Sequence, residues 1–357
     1  MLQPTPRRTR VVVLTLFVAP SAAVAIATGC SGSDASITAR GGESDGRGDP
    51  KPASEAEKAP ADGGSASPEA AAAKKLPTSG ELARGKYLVD HVSACGTCHT
   101  PRGPNGYPDR GKYLAGVECF VNDEGACLHT ANLTKLSGYT DEQVRAMFQD
   151  GRRPDGTYLH PMMPYWVYKN MTTEDANSIV AYLQSLGEVE HVVPPNDPPF
   201  RDVPMAAEPL PNSGVPMTDG GAARERGRYL AAAAGICIFC HTPETAPGSA
   251  QAIDLTKAFS GNRPFFNVMV AQSPTTVYSS NITPQVVGGI GGWSQAAVRK
   301  AIREGRDRSG NGLCGPMPSG PSGGYAGMTE QDANDIAAYL LGLKPINITV
   351  TGTCSAP

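Results

Sequence analysis

Apolar positions along this chain recur at helical spacing and alternate over no length of sequence, so the pattern predicts helices and no sheet. Behind Thr172, the residues Ala176, Ile179, Val180, Leu183 and Leu186 fall on one face. Behind Thr329, Ala333, Ile336, Leu340 and Leu343 do the same. The starts Thr172-Thr173-Glu174-Asp175 and Thr329-Glu330-Gln331-Asp332 come close to a capping box. Thr140 and Ser294 are natural N-caps for two further helices. Residues around 80–90 and 222–234 also read as helices. The expected fold class is all-α.

The pattern repeats itself. Arg84-Gly85-Lys86-Tyr87-Leu88 returns as Arg226-Gly227-Arg228-Tyr229-Leu230, and Asn132-Leu133-Thr134 as Asn281-Ile282-Thr283. Val144-Arg145 with Gly151-Arg152 matches Val298-Arg299 with Gly305-Arg306, and Met163-Pro164 matches Met317-Pro318. Met171-Thr172 through Ala181-Tyr182-Leu183 matches Met328-Thr329 through Ala338-Tyr339-Leu340. One module therefore occurs twice, over 77–190 and 221–357. Gly85 with Tyr182, and Gly227 with Tyr339, are expected helix-crossing partners, a missing side chain on one helix meeting a ring on the other. Between the modules, 191–220 carries eight prolines from Pro194 to Pro216 and reads as an extended, stiff linker.

Ahead of both modules the pattern disappears. Arg7, Arg8 and Arg10 precede an apolar run from Val11 to Val18, so 1–30 reads as an export signal. Cys30 after Gly29 resembles the lipid-modified cysteine of bacterial lipoproteins, although Ala27 stands where Leu is usual. Cleavage after Ala23-Val24-Ala25 and retention as an N-terminal anchor are the alternatives. Residues 31–76 contain almost no large apolar side chains and are expected to form a disordered tether. As a flexible coil such a tether would span roughly 35–40 Å.

The chemistry lies in Cys95-Gly96-Thr97-Cys98-His99 and Cys237-Ile238-Phe239-Cys240-His241. C-x-x-C-H is an attachment signature for c-type haem: two thiols reach the two vinyl groups, and the next imidazole is the proximal iron ligand. One such string could be a redox dithiol or half a zinc site. Two strings, each followed by Thr-Pro and set in a repeat, point instead to two covalent haems. For the sixth iron position each module offers a methionine before proline, Met163 and Met317. A thioether opposite imidazole raises the reduction potential and closes the face where oxygen or peroxide would bind. Methionine is also ordinary core filler, and Met162, Met171 and Met328 are read that way. His160 is a rival in the first module, with Leu313 in the comparable stretch of the second. His91, His129 and His191 read as surface or loop residues. Arg152 and Arg306 are read either as partners of haem propionates or as solvated side chains.

Of nine cysteines, four serve haem and Cys30 serves lipid, leaving Cys119, Cys127, Cys314 and Cys354. An even remainder in an exported chain suggests two disulfides. Of three possible pairings, Cys119–Cys127 and Cys314–Cys354 keep each bond inside one module. Composition adds little: 40% of the 357 residues are hydrophobic and 6% aromatic, a thin core that two apolar haem discs would supplement. The net charge of −3 gives no argument for a nucleic-acid partner.

With these residues in place the chain resembles class I c-type cytochromes. More narrowly, it resembles the multihaem cytochrome subunits of bacterial membrane-bound alcohol, aldehyde and gluconate dehydrogenases. The resemblance rests on R-G-x-Y-L, C-x-x-C-H-T-P, N-[LI]-T, V-R-x5-G-R, M-P and the closing M-T-x-x-D-A-N-x-I-x-A-Y-L, over residues 77–188 and 221–343. Those subunits commonly carry three haems; this chain has two signatures and adds the tether. The resemblance implies two tandem all-helical cytochrome c domains, first and last helices crossing near each haem. It also implies an exported protein on the periplasmic side of a bacterial membrane, and the first thirty residues add a lipid or anchor to hold it there. The expected role is an electron carrier rather than an enzyme, moving single electrons from a periplasmic or membrane-bound donor, a dehydrogenase catalytic subunit being the candidate, to a respiratory acceptor. A dihaem peroxidase-like enzyme is the alternative.

Overall fold

The computed structural model describes residues 76–351 apart from 105, 247–251 and 271–272. The export signal, Cys30, nearly all of the tether and Cys354 lie outside the described residues.

The first repeat opens with α1 (Ser79–Tyr87), where Thr78 and Glu81 close a capping box, and runs on into a π-helical turn, Leu88–Val92. A single turn, α2 (Gly96–His99), carries the first signature. After an antiparallel hairpin, β1 (Val117–Asp123) with β2 (Ala126–Thr130), come α3 (Asp141–Asp150), α4 (Tyr165–Tyr168) and α5 (Thr173–Gln184). The second repeat follows the same order, with a 3-10 turn, Gly324–Gly327, where the first has α4: α6 (Gly221–Ala232), α7 (Cys237–Cys240), the hairpin β3 (Pro264–Val270) with β4 (Ser273–Tyr278), α8 (Gln295–Glu304) and α9 (Glu330–Leu341).

The hairpins amend the all-α expectation. Each is inserted between a signature and its Asn-x-Thr motif. The register of β1 breaks between Val117 and Val121, which removes the clean period of two that reveals a strand in sequence. Its turn, Glu124-Gly125, has φ of 50° and 96° and suits a two-residue hairpin loop. Cys119 and Cys127 are disulfide-bonded across this hairpin, their Cα atoms 4.7 Å apart. Cys314 is also in a disulfide.

The first and last helices of each repeat cross where glycine removes a side chain. A Cβ on Gly85 would lie 1.9 Å from the Ser178 carbonyl oxygen and 2.7 Å from Tyr182 Cβ. On Gly227 it would lie 2.0 Å from Asp335 O and 2.8 Å from Tyr339 Cβ. Thr172 and Thr329 cap α5 and α9, but their boxes stay open because the N3 carboxylates turn elsewhere. Asp175 takes two hydrogen bonds from Arg84, at 2.8 and 2.7 Å, and Asp332 takes two from Arg226, at 2.8 and 2.6 Å.

The same two aspartates join the repeats. Tyr229 of the second donates to Asp175 of the first at 2.6 Å, and Tyr87 of the first donates to Asp332 of the second at 2.7 Å. These four residues occupy matched positions, so the contact has approximate two-fold symmetry. Burial pushes the Asp175 carboxyl upward, but hydrogen bonds from Arg84 and Tyr229 and the Arg84 charge outweigh it and hold the group below the usual carboxylate range. The described residues belong to one compact unit. The proline-rich segment lies on it in extended form: Leu210 and Val215 are buried, and the Leu210 N–H donates to Trp166 O at 2.9 Å.

Candidate functional site

The Asn-x-Thr motifs explain how each signature histidine is held. Asn132 Oδ1 accepts from both the N–H and the hydroxyl of Thr134, at 2.9 and 2.6 Å; Asn281 does the same for Thr283, at 2.9 and 2.7 Å. This local turn fixes the residue before each Asn. Ala131 O then pairs with His99 Nδ1 at 2.8 Å, and Ser280 O pairs with His241 Nδ1 at 2.7 Å. A carbonyl partner takes a proton on Nδ1, so Nε2 is the ring nitrogen with a lone pair for iron. Burial lowers the pKa of both imidazoles, which keeps them neutral and able to ligate.

The four signature thiols are unpaired with one another. Burial pushes Cys95, Cys98 and Cys237 up to about 12 and Cys240 to about 11. A metal-free redox dithiol needs thiolate, which burial opposes here. Thioether attachment leaves no charged sulfur to bury.

A cavity of about 1750 Å³ is lined by Cys237, Cys240, His241 and Met317, with apolar side chains such as Ile302 and Leu340. It exceeds the roughly 300–1,000 Å³ usual for small-molecule sites. Cys98 of the first signature lines it as well. The two signature loops abut: Ser93 Oγ donates to Ala234 O at 2.7 Å in a buried contact, and the Phe239 and Trp166 rings lie 5.9 Å apart. A neutral imidazole, two protonated thiols and an apolar cavity wall suit a haem joined through Cys237 and Cys240. The matched residues make the same donor set at Cys95 and Cys98.

Around the sixth position the register is set by backbone. Leu159 N–H donates to Gly151 O and Leu313 N–H to Gly305 O, both at 2.7 Å. Leu313 is therefore the counterpart of Leu159, and Cys314 stands at the place of His160, so the second repeat offers no histidine there. Four residues further on stand Met163 and Met317. Met317 lines the large cavity, whereas in the first repeat the residue on its wall is Met162. His160 Nδ1 accepts from the Met162 N–H at 3.2 Å, and its ring stacks edge-on with Phe200. Arg152 and Arg306 are exposed. Cys127, His129 and Asp197 cluster, but the Cys127 sulfur is in a disulfide and His129 Nδ1 accepts from the Cys119 N–H at 2.9 Å, so the group is a hairpin contact.

Sequence reasoning missed the backbone carbonyls of Ala131 and Ser280, which carry no sequence mark beyond the motif that follows them. It also missed Arg263 and Glu244 on the cavity wall. Aligning the repeats through Gly116 and Gly261 would have revealed this pair as a charge exchange.

The helical architecture is compatible with a cytochrome c fold. The chain is similar to the cytochrome c subunits of several bacterial dehydrogenases. The fructose dehydrogenase cytochrome subunit of Gluconobacter japonicus is 27% identical over 283 residues, covering 72% of this chain and 52% of that protein. The cytochrome c subunit of the quinone alcohol dehydrogenase of Gluconacetobacter polyoxogenes is 26% identical over 283 residues, covering 74% and 56%. A diheme cytochrome c-type protein of Cereibacter sphaeroides is 26% identical over 180 residues, covering 47% and 60%. The chain spans about half the length of the first two of these relatives. No protein-family profile matches it. The comparisons lend no support to the peroxidase alternative. Among the described residues no helix is long and apolar enough to cross a membrane.

Proposed function

We propose that this chain is an exported dihaem c-type cytochrome that carries single electrons from a dehydrogenase catalytic subunit to a respiratory acceptor. One haem is assigned to Cys95, Cys98 and His99 with Met163 as sixth ligand, in a domain over 77–190. The other is assigned to Cys237, Cys240 and His241 with Met317, in a domain over 221–357. Bound there, haem iron supplies a reversible one-electron change. The chain's own part is to orient each imidazole through Nδ1, to surround the group with apolar side chains, and to set the two signatures side by side. The matched Met-Pro register supports the methionine assignments. The relatives' names support the dehydrogenase partner. The periplasmic location, with a lipid on Cys30 or an N-terminal anchor at the membrane, rests on the sequence of the first thirty residues.

The observation that carries the reading is the repeated set of two unpaired, half-buried thiols beside a histidine whose Nδ1 is held by a carbonyl. The test is the matured protein, purified from a host that attaches haem c. Intact mass and the pyridine haemochrome spectrum should give two haems per chain, falling to one in Cys95→Ala/Cys98→Ala or Cys237→Ala/Cys240→Ala. A colourless product would refute the reading. Met163→Leu and Met317→Leu should each change the ferric spectrum of one haem.

A further inference from the structure

The two repeats superimpose in register at their signatures, because Gly116 N–H donates to His99 O at 2.8 Å and Gly261 N–H to His241 O at 2.7 Å. Two residues beyond these glycines, Glu118 is matched by Arg263. Three residues beyond the histidines, Arg102 is matched by Glu244. The charges at the two positions are exchanged between repeats.

Their surroundings differ as much as their signs. Beside the second signature, the Arg263 side chain is 2% exposed and Glu244 9%, with Arg263 Nη2 3.2 Å from Glu244 Oε1. Arg263 Nη1 donates to Phe239 O at 2.7 Å, and its guanidinium lies 4.2 Å from the centre of the Phe239 ring. Phe239 stands between Cys237 and Cys240, so the cation is fastened directly to the attachment loop. Both charges line the cavity with His241 and Met317. Beside the first signature, Arg102 is exposed and donates to Gly106 O at 2.7 Å, while Glu118, 58% exposed, is approached by His191 Nε2 at 3.5 Å.

We propose that Arg263 and Glu244 set the electron affinity of the second site, Arg263 raising it and Glu244 lowering it. The guanidinium prevails because it is fastened inside the attachment loop, donating to the Phe239 carbonyl and lying over the Phe239 ring. A charge withdrawn from water acts far more strongly on its neighbours than the same charge in solvent. The second site therefore holds its electron more tightly than the first, whose matched charges are screened. Arg263 is a positioning residue as well as a charge, since it braces the Phe239 carbonyl beside Cys240. The proposal rests on the reading of two haems, one at each signature.

The test is a spectroelectrochemical titration of the full matured protein and of Arg263→Met, Arg263→Lys and Glu244→Gln. Wild type should show two waves, the higher being the one that Met317→His displaces. Arg263→Met should lower that wave and Glu244→Gln should raise it, with the other wave unmoved; Arg263→Lys should retain most of the wild-type value. Opposite signs from the two substitutions separate charge from packing, because a loosened loop would shift the wave in one direction for both. Should Arg263→Met fail to fold, the near-isosteric Glu244→Gln decides. Equal shifts of both waves, shifts of the same sign, or an unmoved higher wave would overturn the proposal and leave the dihaem reading standing. Fewer than two haems in wild type would overturn both.

Discussion

The first and second repeats share a skeleton and differ in what surrounds it. In both, an Asn-x-Thr turn presents a carbonyl to a histidine, a glycine lets the terminal helices cross, and an Arg–Asp clamp ties those helices together. These devices hold an imidazole and close a helical shell, so they are repeated residue for residue. Charge placement is not repeated, and the hairpins, present in both, differ in sequence. The first hairpin carries the Cys119–Cys127 disulfide, and the second repeat buries an ion pair against its signature. Attachment needs one fixed geometry, whereas electron affinity depends on nearby charge and can differ at each site.

The largest expected effect tests the shared skeleton. In Gly85→Ala and Gly227→Ala the new methyl meets a backbone carbonyl at about 2 Å, so the helices must part. Each should cost about 3 kcal/mol or more in urea unfolding followed by far-UV circular dichroism. Closely similar values would show that the two crossings are energetically equivalent, and a large disparity would break the comparison.

The clamps come next. Asp175→Asn leaves Arg84 and Tyr229 facing an uncharged partner, and the expected loss is about 2 kcal/mol, scaled down from a fully buried pair because Arg84 is partly exposed. The native Asp175 carboxyl titrates below its ordinary value, so its stabilisation is complete above the unfolded pKa of about 3.9 and is lost as pH falls through the lower folded value. Wild type should therefore lose stability below about pH 4 more steeply than Asp175→Asn. Parallel acid profiles would show that the carboxylate contributes nothing specific.

Tyr87→Phe and Tyr229→Phe each remove one hydrogen bond to a carboxylate across the repeat contact, at an expected cost of about 1.5 kcal/mol. The two bonds end on different aspartates, so the double variant should be near additive if the repeats dock as a rigid pair. Strong coupling would show that either bond alone keeps the halves together.

Much of this was legible in the sequence. The glycine–tyrosine crossings, the caps at Thr140, Thr172, Ser294 and Thr329, and the Cys119–Cys127 pair all use side chains whose type and spacing carry the information. The hairpins were not legible, because a bulged strand of seven residues loses the alternation that would mark it. Nor were the open caps at Asp175 and Asp332: a carboxylate three residues after a cap looks local until distant Arg and Tyr side chains claim it. The register of His160 against Cys314 was legible, since Gly151/Gly305 and Met163/Met317 share one offset, and the main-chain bonds from Leu159 and Leu313 keep it.

The smallest expected difference lies at the start of α3 and α8. Thr140 accepts from the Gln143 N–H at 3.2 Å while Gln143 Oε1 accepts from the Thr140 N–H at 2.9 Å, a closed box. Ser294 accepts from the Ala297 N–H at 3.1 Å, and alanine at that position can return nothing. Both helices end alike, at Gly151 and Gly305 in the left-handed conformation, so the N-termini are the cleaner contrast. Thr140→Ala should cost about 1–1.5 kcal/mol and Ser294→Ala about 0.5–1 kcal/mol. Ala297→Gln should recover a few tenths of a kcal/mol in the second repeat by supplying the missing half of the box, and Gln143→Ala should remove a similar amount from the first. If Ala297→Gln leaves the unfolding midpoint unchanged while Gln143→Ala lowers it, the two helix starts differ in more than the third residue, and the likeness of the repeats ends at the cap.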